Sequence, residues 1–532
     1  MRRMKGAAGL LTALLLAFQL SAQTFALANE DNGIKVVPVN FTHNGYSYEI
    51  EGVAKSTEGD YQIKSPSRLA ARKLPSAYDP RSSGEITTVK DQASTGACWA
   101  FSALACAEQD LIKKGLENPS AEFSVPALVL SSNSGTATGK DDFSSGGNWL
   151  FAASALANGQ GLCYEDYEPF LESGTENMIV SENKKSVSEY RLNYVMELSS
   201  TTQVKRKIME LGAVSASYFA GNGYMNHNNT AYYDPDASKN TIINHSVTVV
   251  GWDDNYSKDN FRYKPANNGA WLVKGSWGAD QDNDGFYWVS YDEAEFGQFC
   301  CYDFEESCDN TYHYSKMTGY VVNASNDGSV YGANVFTAKA DEKLDKAGFM
   351  YVGKTGSADY TLSVYTDVSD SDPIGVLETQ ISGSVSANGF YTVDFPEDIL
   401  LEEGEKYSIS VKFSGDSGRG YLLAESDRTS KAQSGQSYVS LNGKYWSDVG
   451  ADKTDSIGSL FIYAYTDDTE KPDKSSLLPG LFSFKCRHSY KLASHFLPGL
   501  VFSHTANIKA KTPDPPKIII SPSIFTLSLI HI

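Results

Sequence analysis

At 532 residues, with 41% apolar side chains, the chain has length for two or three domains and enough apolar surface to fill their cores. A formal charge of −20 argues against nucleic acid or anionic membrane as partners, because phosphate surfaces select basic proteins, and it suits solubility outside the cell. The seven cysteines, Cys98, Cys106, Cys163, Cys300, Cys301, Cys308 and Cys486, are too sparse and irregular for a disulfide-stapled scaffold, and no paired C-x-x-C spacing offers a metal site. No metal and no cofactor is therefore expected. The odd count leaves at least one thiol free. Pairing among Cys300, Cys301 and Cys308, or of Cys106 with Cys163, stays open at this stage.

Residues 1–28 begin with Arg2, Arg3 and Lys5, continue through an apolar run from Ala7 to Leu20 and end in Ala26-Leu27-Ala28. That order of basic, apolar and small residues predicts a secretory signal peptide cut before Asn29. The run is shorter than the roughly 20 residues of a spanning helix, so no transmembrane anchor is expected. Residues 29–73 are polar and mixed, with a short strand predicted at Tyr46–Ile50, and read as a pro-segment or linker. From Leu74 to Tyr302 helical and strand periodicities alternate, as in an α+β enzyme.

Residues 311–466 change texture to short alternating strands punctuated by Gly, Asp, Ser and Asn. Lys346–Val352, Tyr360–Thr366, Gly389–Phe395, Lys406–Phe413 and Ser459–Tyr465 are the clearest, and they predict an all-β sandwich or jelly-roll-like domain. Aromatic residues there, Tyr421, Tyr438, Tyr445 and Trp446, are read as core before they are read as a sugar-stacking platform. The tail, 471–532, carries eight basic residues against two acidic ones and ends in Leu527-Ser-Leu-Ile-His-Ile532, the translation of a transposon end used in sequencing-library preparation. It is expected to be in large part a cloning or assembly artefact.

The chemistry concentrates in four places. Gln92-Ala-Ser-Thr-Gly-Ala-Cys98-Trp-Ala-Phe-Ser102 sets a cysteine at the start of a predicted helix with an apolar face through Phe101, Leu104, Ala105, Leu111 and Ile112. Lys113, Lys114 and Gly115 signal its end. A thiol at a helix N-terminus sees the positive end of the helix dipole, which favours the thiolate. Between Leu74 and Tyr302 the only histidines are His227, in a Gly/Asn-rich loop, and His245, which opens the strand Asn244-His-Ser-Val-Thr-Val-Val-Gly-Trp252. Ser145-Gly-Gly-Asn148 and Trp271-Leu-Val-Lys-Gly-Ser-Trp-Gly278 complete the set. Asp280-Gln-Asp-Asn-Asp-Gly285 imitates half of an EF-hand loop, but its twelfth position is Tyr291 rather than a bidentate acid.

Thr95-Gly96-Ala97-Cys98-Trp99 resembles the papain-family signature C-G-[SA]-C-[WY], with Thr95 in place of the first cysteine. His245 lies 147 residues after Cys98, within the roughly 130–150 residues that separate the two in that family. The resemblance implies a papain-like fold with a helical half and a β-rich half over 74–302, in which Cys98 is the nucleophile, His245 its base and Gln92 an oxyanion donor. It also implies that Gly146, Gly147 and Trp277 are substrate-binding residues, the glycine pair hydrogen-bonding the extended substrate and Trp277 also shielding the histidine. Gly275 stands where the family has the asparagine that orients the imidazole, so that position is vacant. Loss of an orienting group in an analogous triad slows turnover on the order of 10⁴-fold.

The module at 311–466 resembles the lectin-like domain of some bacterial papain-like peptidases. The expected function is a secreted or cell-surface bacterial cysteine endopeptidase acting on peptide or protein substrates, with a β-sandwich that binds carbohydrate or a cell surface. The alternative is a catalytically weakened papain-like scaffold serving as an extracellular binding or adhesion protein. A third reading is a transpeptidase working through the same acyl-enzyme.

Overall fold

The computed structural model describes residues 34–38, 73–132, 143, 146–159, 161–167, 170, 189–221, 223–228, 230–237, 243–279, 282–315, 320–325, 328–353, 356–369, 372–415, 420–426, 432–451 and 457–469. The expected signal peptide, the Tyr46–Ile50 strand, Ser145, Asp280 and the basic tail lie outside them. Met1–Thr469 form one compact unit and Glu470–Ile532 a second, none of whose residues is described.

Four α-helices among the described residues belong to the first half: α1 (Cys98–Lys114), α2 (Val125–Ser132), α3 (Trp149–Ala157) and α4 (Thr201–Leu211). Each boundary has a local cause. Gly115 adopts φ 69° and returns its N–H to Ile112 and Leu111, closing α1. Asn148 caps α3 by accepting from the N–H groups of Leu150 and Phe151, and Ser200 with Gln203 forms a capping box on α4. The sequence predicts one apolar face for α1, but residues 98 to 111 are buried on every side. Its polar residues are accommodated because each has a partner. Asp110 accepts from Phe304 N (2.7 Å) and Lys114 Nζ (2.8 Å), and Glu108 accepts from Thr87 Oγ1 (2.7 Å), Phe123 N (3.1 Å) and Lys90 Nζ (3.2 Å).

The strands are, in chain order, β1 (Ile34–Pro38), β2 (Ala77–Tyr78), β3 (Tyr190–Leu198), β4 (Val214–Tyr218), β5 (Ala231–Tyr232), β6 (His245–Asp253), β7 (Ala270–Lys274), β8 (Phe286–Ser290), β9 (Gly297–Glu306), β10 (Asn310–Tyr312) and β11 (Tyr320–Ser325). There follow β12 (Ser329–Thr337), β13 (Glu342–Tyr351), β14 (Ala358–Thr366), β15 (Val376–Val385), β16 (Gly389–Leu401), β17 (Lys406–Gly415), β18 (Tyr421–Ser426), β19 (Ser437–Ser440), β20 (Ser447–Asp448), β21 (Ile457–Leu460) and β22 (Ile462–Asp468). After Glu306 the described chain is all β. The strands predicted at 346–352, 360–366, 389–395 and 406–413 lie within or almost within β13, β14, β16 and β17. That predicted at 459–465 divides into β21 and β22 at Phe461.

One sheet runs through both halves. Its order is β10-β22-β13-β16-β3-β9-β4-β6-β7-β8-β5, with β2 pairing onto β6, twelve strands among the described residues. The two halves meet where β16 pairs antiparallel with β3, Gly389 opposite Met196 and Phe390 opposite Val195. A Cβ on Gly389 would lie 2.1 Å from Val195 O, so only glycine permits this approach. The hydrophobic core is likewise continuous, extending from Trp99 and Leu104 on α1 to Phe390 and Tyr465. A six-stranded sheet (β15-β14-β17-β12-β19-β20) and a four-stranded one (β1-β11-β18-β21) complete the second half.

Cys98, Cys106, Cys300, Cys301 and Cys308 are free thiols, and the first four are buried. Neither a local pairing of Cys300, Cys301 and Cys308 nor a Cys106–Cys163 bridge forms. Among the described residues no helix is long and apolar enough to cross a membrane, and no cluster of ligating side chains is arranged for a metal.

Candidate active site

Cys98 is the first residue of α1 and is 8% exposed. Its thiol lies near Ser246, the residue that follows His245. Burial pushes the thiol up from its ordinary value, and the hydrogen bonds from Ser246 and from the Trp99 main chain act in the opposite direction. One turn along the helix, Ser102 Oγ donates to Val247 O at 2.7 Å, and Thr248 Oγ1 lies 3.4 Å from Ser102 O. These bonds fix the register of α1 against β6. They bring the head of the helix to the head of the strand, which is how residues 147 apart in sequence come to one place.

His245 is 5% exposed and opens β6. Its ring stacks on Trp277 at 4.3 Å between centroids and 7° between planes, and Tyr218 presents an edge to it at 5.9 Å. Burial lowers its pKa to about 3, and Nε2 is buried with no hydrogen-bond partner. Raised thiol and lowered imidazole together favour a neutral pair at rest.

Gly275 stands two residues before Trp277 on the same segment. A Cβ built there would meet Gly285 O at 3.1 Å and Tyr287 Cε1 at 3.3 Å. Tyr287 lies parallel to Trp277 at 6.5 Å, and its hydroxyl bonds that of Tyr218 at 2.9 Å. The space beside residue 275 is thus lined by an aromatic ring and a carbonyl rather than by an amide side chain.

Gln92 is tied to the same segment from both ends. Its main-chain N–H donates to Ser276 O (2.8 Å), its Oε1 accepts from Ser276 Oγ (2.5 Å), and its Nε2 donates to Thr95 O (2.8 Å). An amide nitrogen carries two hydrogens, so one remains for a second acceptor. Gly146 and Gly147 precede the Asn148 cap of α3. A Cβ on Gly147 would lie 2.5 Å from the Trp99 indole, which places this segment directly against the residue after Cys98. Trp277 is 38% exposed over His245, whereas His227 is an exposed turn residue.

Sequence reasoning did not single out Ser246, Ser102, Ser276, Tyr218 or Tyr287. The three serines lie in runs that carry other candidate residues; Tyr218 and Tyr287 carry no local signal. Lys274, next to Gly275, was also passed over. It is 4% exposed, donates to Thr87 Oγ1 at 2.6 Å and lies 3.8 Å from Glu108, with burial lowering its pKa.

Comparison with known proteins bears on this arrangement. The model of the papain family cysteine protease matches residues 74–325, and that of the lectin-like domain matches residues 311–466. The chain carries a papain-family peptidase domain joined to a lectin-like domain. Procathepsin L of Felis catus is 28% identical over 223 residues, 41% of this chain and 61% of the cat protein. The chain thus spans about three fifths of that relative's length. The cysteine protease and lectin-like domains of Cwp84, a surface-layer-associated protein of Clostridium difficile, superpose with a TM-score of 0.66 at 25% identity, covering 82% of this chain and 99% of that one. Clostridial Cwp84 after propeptide cleavage gives a TM-score of 0.64 at 27% identity, covering 74% and 99%.

Proposed function

We propose that the chain is a secreted cysteine endopeptidase in which Cys98 attacks the scissile carbonyl of a peptide. His245 accepts the thiol proton as the C–S bond forms and returns it to the leaving amine as the C–N bond breaks. Water, deprotonated by the same imidazole, then opens the thioester and frees the acid. The second Gln92 Nε2 hydrogen and the Cys98 N–H stabilise the oxyanion, a contribution of about 10²–10³ in rate per donor. Gly146 and Gly147 hold the substrate main chain.

The observation that carries this reading is the register of α1 on β6, fixed by Ser102 Oγ on Val247 O at 2.7 Å, which sets the helix headed by Cys98 against the strand headed by His245, whose imidazole stacks under Trp277. The experiment is hydrolysis of an unfolded protein substrate by the mature chain under reducing conditions, with Cys98→Ala as control. Peptide release by the parent alone supports the reading; equal release by both, or none by a folded parent, overturns it.

The unpartnered Nε2 and Gly275 favour a second reading, a weakened peptidase retained as an extracellular binding scaffold. Such a protein folds and binds but releases no peptides. For the lectin-like domain, binding of carbohydrate or a cell surface is supported by Tyr445, 80% exposed, beside Trp446, whose indole N–H has no partner. Tyr421 and Tyr438 are core. The N-terminal signal pattern and the surface-layer association of Cwp84 support placement outside the cell.

A further inference from the structure

The segment Gly146–Gly147 leads straight into α3, and α3 is held at its end by the lectin-like half and at its start, through Glu197 of β3, by the junction with that half. At its start, Trp149 Nε1 donates to Glu197 Oε1 at 3.0 Å. The other oxygen of that carboxylate accepts from Asn388 Nδ2 at 3.1 Å, and Glu197 N donates to Asn388 O at 3.0 Å. Asn388 is itself fixed. It is 3% exposed, its Oδ1 accepts from Gly353 N at 2.9 Å, and it immediately precedes Gly389 at the point where β16 joins β3. At the other end, Asn158 Nδ2 donates to Ser315 O at 3.2 Å and Tyr465 OH to Ala157 O at 3.4 Å.

We propose that Asn388 and Glu197 are positioning residues through which the lectin-like domain sets the substrate-binding segment Gly146–Gly147 of the peptidase. The inference rests on the peptidase reading above. A continuous chain of contacts runs from Asn388 through Glu197 and Trp149 to Gly147, which packs on Trp99 beside the nucleophile. None of these bonds touches Cys98 or His245. Their loss therefore displaces the segment that grips the peptide while leaving the thiol's own environment in place. Binding made equally in ground and transition states appears in KM and leaves kcat unchanged. Loss of a typical hydrogen bond from such a network corresponds to about a three- to tenfold change.

The test uses the full mature chain carrying Asn388→Ala, Trp149→Phe or Glu197→Ala, each checked for a cooperative thermal transition. Rates of labelling by a peptidyl epoxide, which needs both cleft and thiol, are compared with rates for iodoacetamide, which needs only the thiol. Asn388→Ala is expected to raise KM for a peptide and slow the epoxide about three- to tenfold, with kcat and iodoacetamide labelling within twofold of the parent. In the Glu197→Ala background it should add little, because the path is already cut. A folded Asn388→Ala protein with unchanged KM and epoxide rate, or with kcat and iodoacetamide labelling falling in step, overturns the proposal. Should Asn388→Ala not fold, Trp149→Phe carries the test, since it removes the indole N–H donor together with part of the ring and leaves the sheet junction intact. A parent that neither epoxide labels nor peptide engages would instead refute the peptidase reading.

Discussion

Replacing Gly275 with asparagine sets two opposing effects against each other, and the structure gives a size to both. His245 Nε2 is buried without an acceptor, so protonating the ring leaves an N–H⁺ unsatisfied. An amide oxygen offered from position 275, as in the papain family, forms a charge-assisted hydrogen bond worth about 1.5–3 kcal/mol, or about 10- to 150-fold in rate. Against this, the new Cβ meets Gly285 O at 3.1 Å and Tyr287 Cε1 at 3.3 Å, so strand and ring must yield by a few tenths of an ångström. Overpacking of that kind costs about 1–3 kcal/mol of stability and acts on folding rather than on the imidazole.

The assay is kcat/KM against pH for the parent, Gly275→Asn and Gly275→Ala, the alanine sharing the steric cost without the acceptor. Gly275→Asn should rise at least tenfold. Its acid limb should move to lower pH, because stabilising the imidazolium lowers the thiol pKa, and its basic limb should move to higher pH. Identical profiles for Asn and Ala would refute the argument and mean that another group already orients His245.

Further outcomes follow from the same geometry. Ser102→Val removes the donor to Val247 O between α1 and β6 and should cost about 1–3 kcal/mol in urea unfolding, with a larger loss of turnover than of stability alone. Glu108→Gln removes the buried carboxylate paired with Lys90 at 3.2 Å and Lys274 at 3.8 Å and should destabilise by about 3–5 kcal/mol, read from the shift in urea midpoint. For His245 the buried ring refuses a proton down to about pH 3, whereas the unfolded chain accepts it near pH 6.5. The unfolded state therefore binds more protons between those values, and stability falls as pH falls. The His245 contribution lost between pH 6.5 and pH 4 is about 3 kcal/mol, measured as the extra loss in the parent relative to His245→Gln.

What was legible in the sequence was local. The Gly96-Ala97-Cys98-Trp99 run, the strand headed by His245 and the glycine closing α1 each declare themselves within ten residues, and the alternation of β13, β14, β16 and β17 shows in single strands. Pairings between distant segments were not legible. Nothing near Gly389 announces that β16 will join β3, because that contact depends on a backbone approach to Val195 made only in the folded chain. The same holds for α1. Glu108 and Asp110 look solvent-facing until Lys90, Lys274, Lys114 and Phe304 arrive from elsewhere to satisfy them. Gly275 was recognisable as a departure, but Tyr287 and the Gly285 carbonyl, which crowd that position, come from the far side of a turn.

Stoichiometric titration of the purified mature chain with a radiolabelled peptidyl epoxide tests the central claim most directly. One label per molecule, recovered on the peptide containing Cys98, absent from Cys98→Ser and slowed in His245→Ala, is the predicted result. A folded protein that takes up no label, or one whose labelling survives Cys98→Ser, would contradict it.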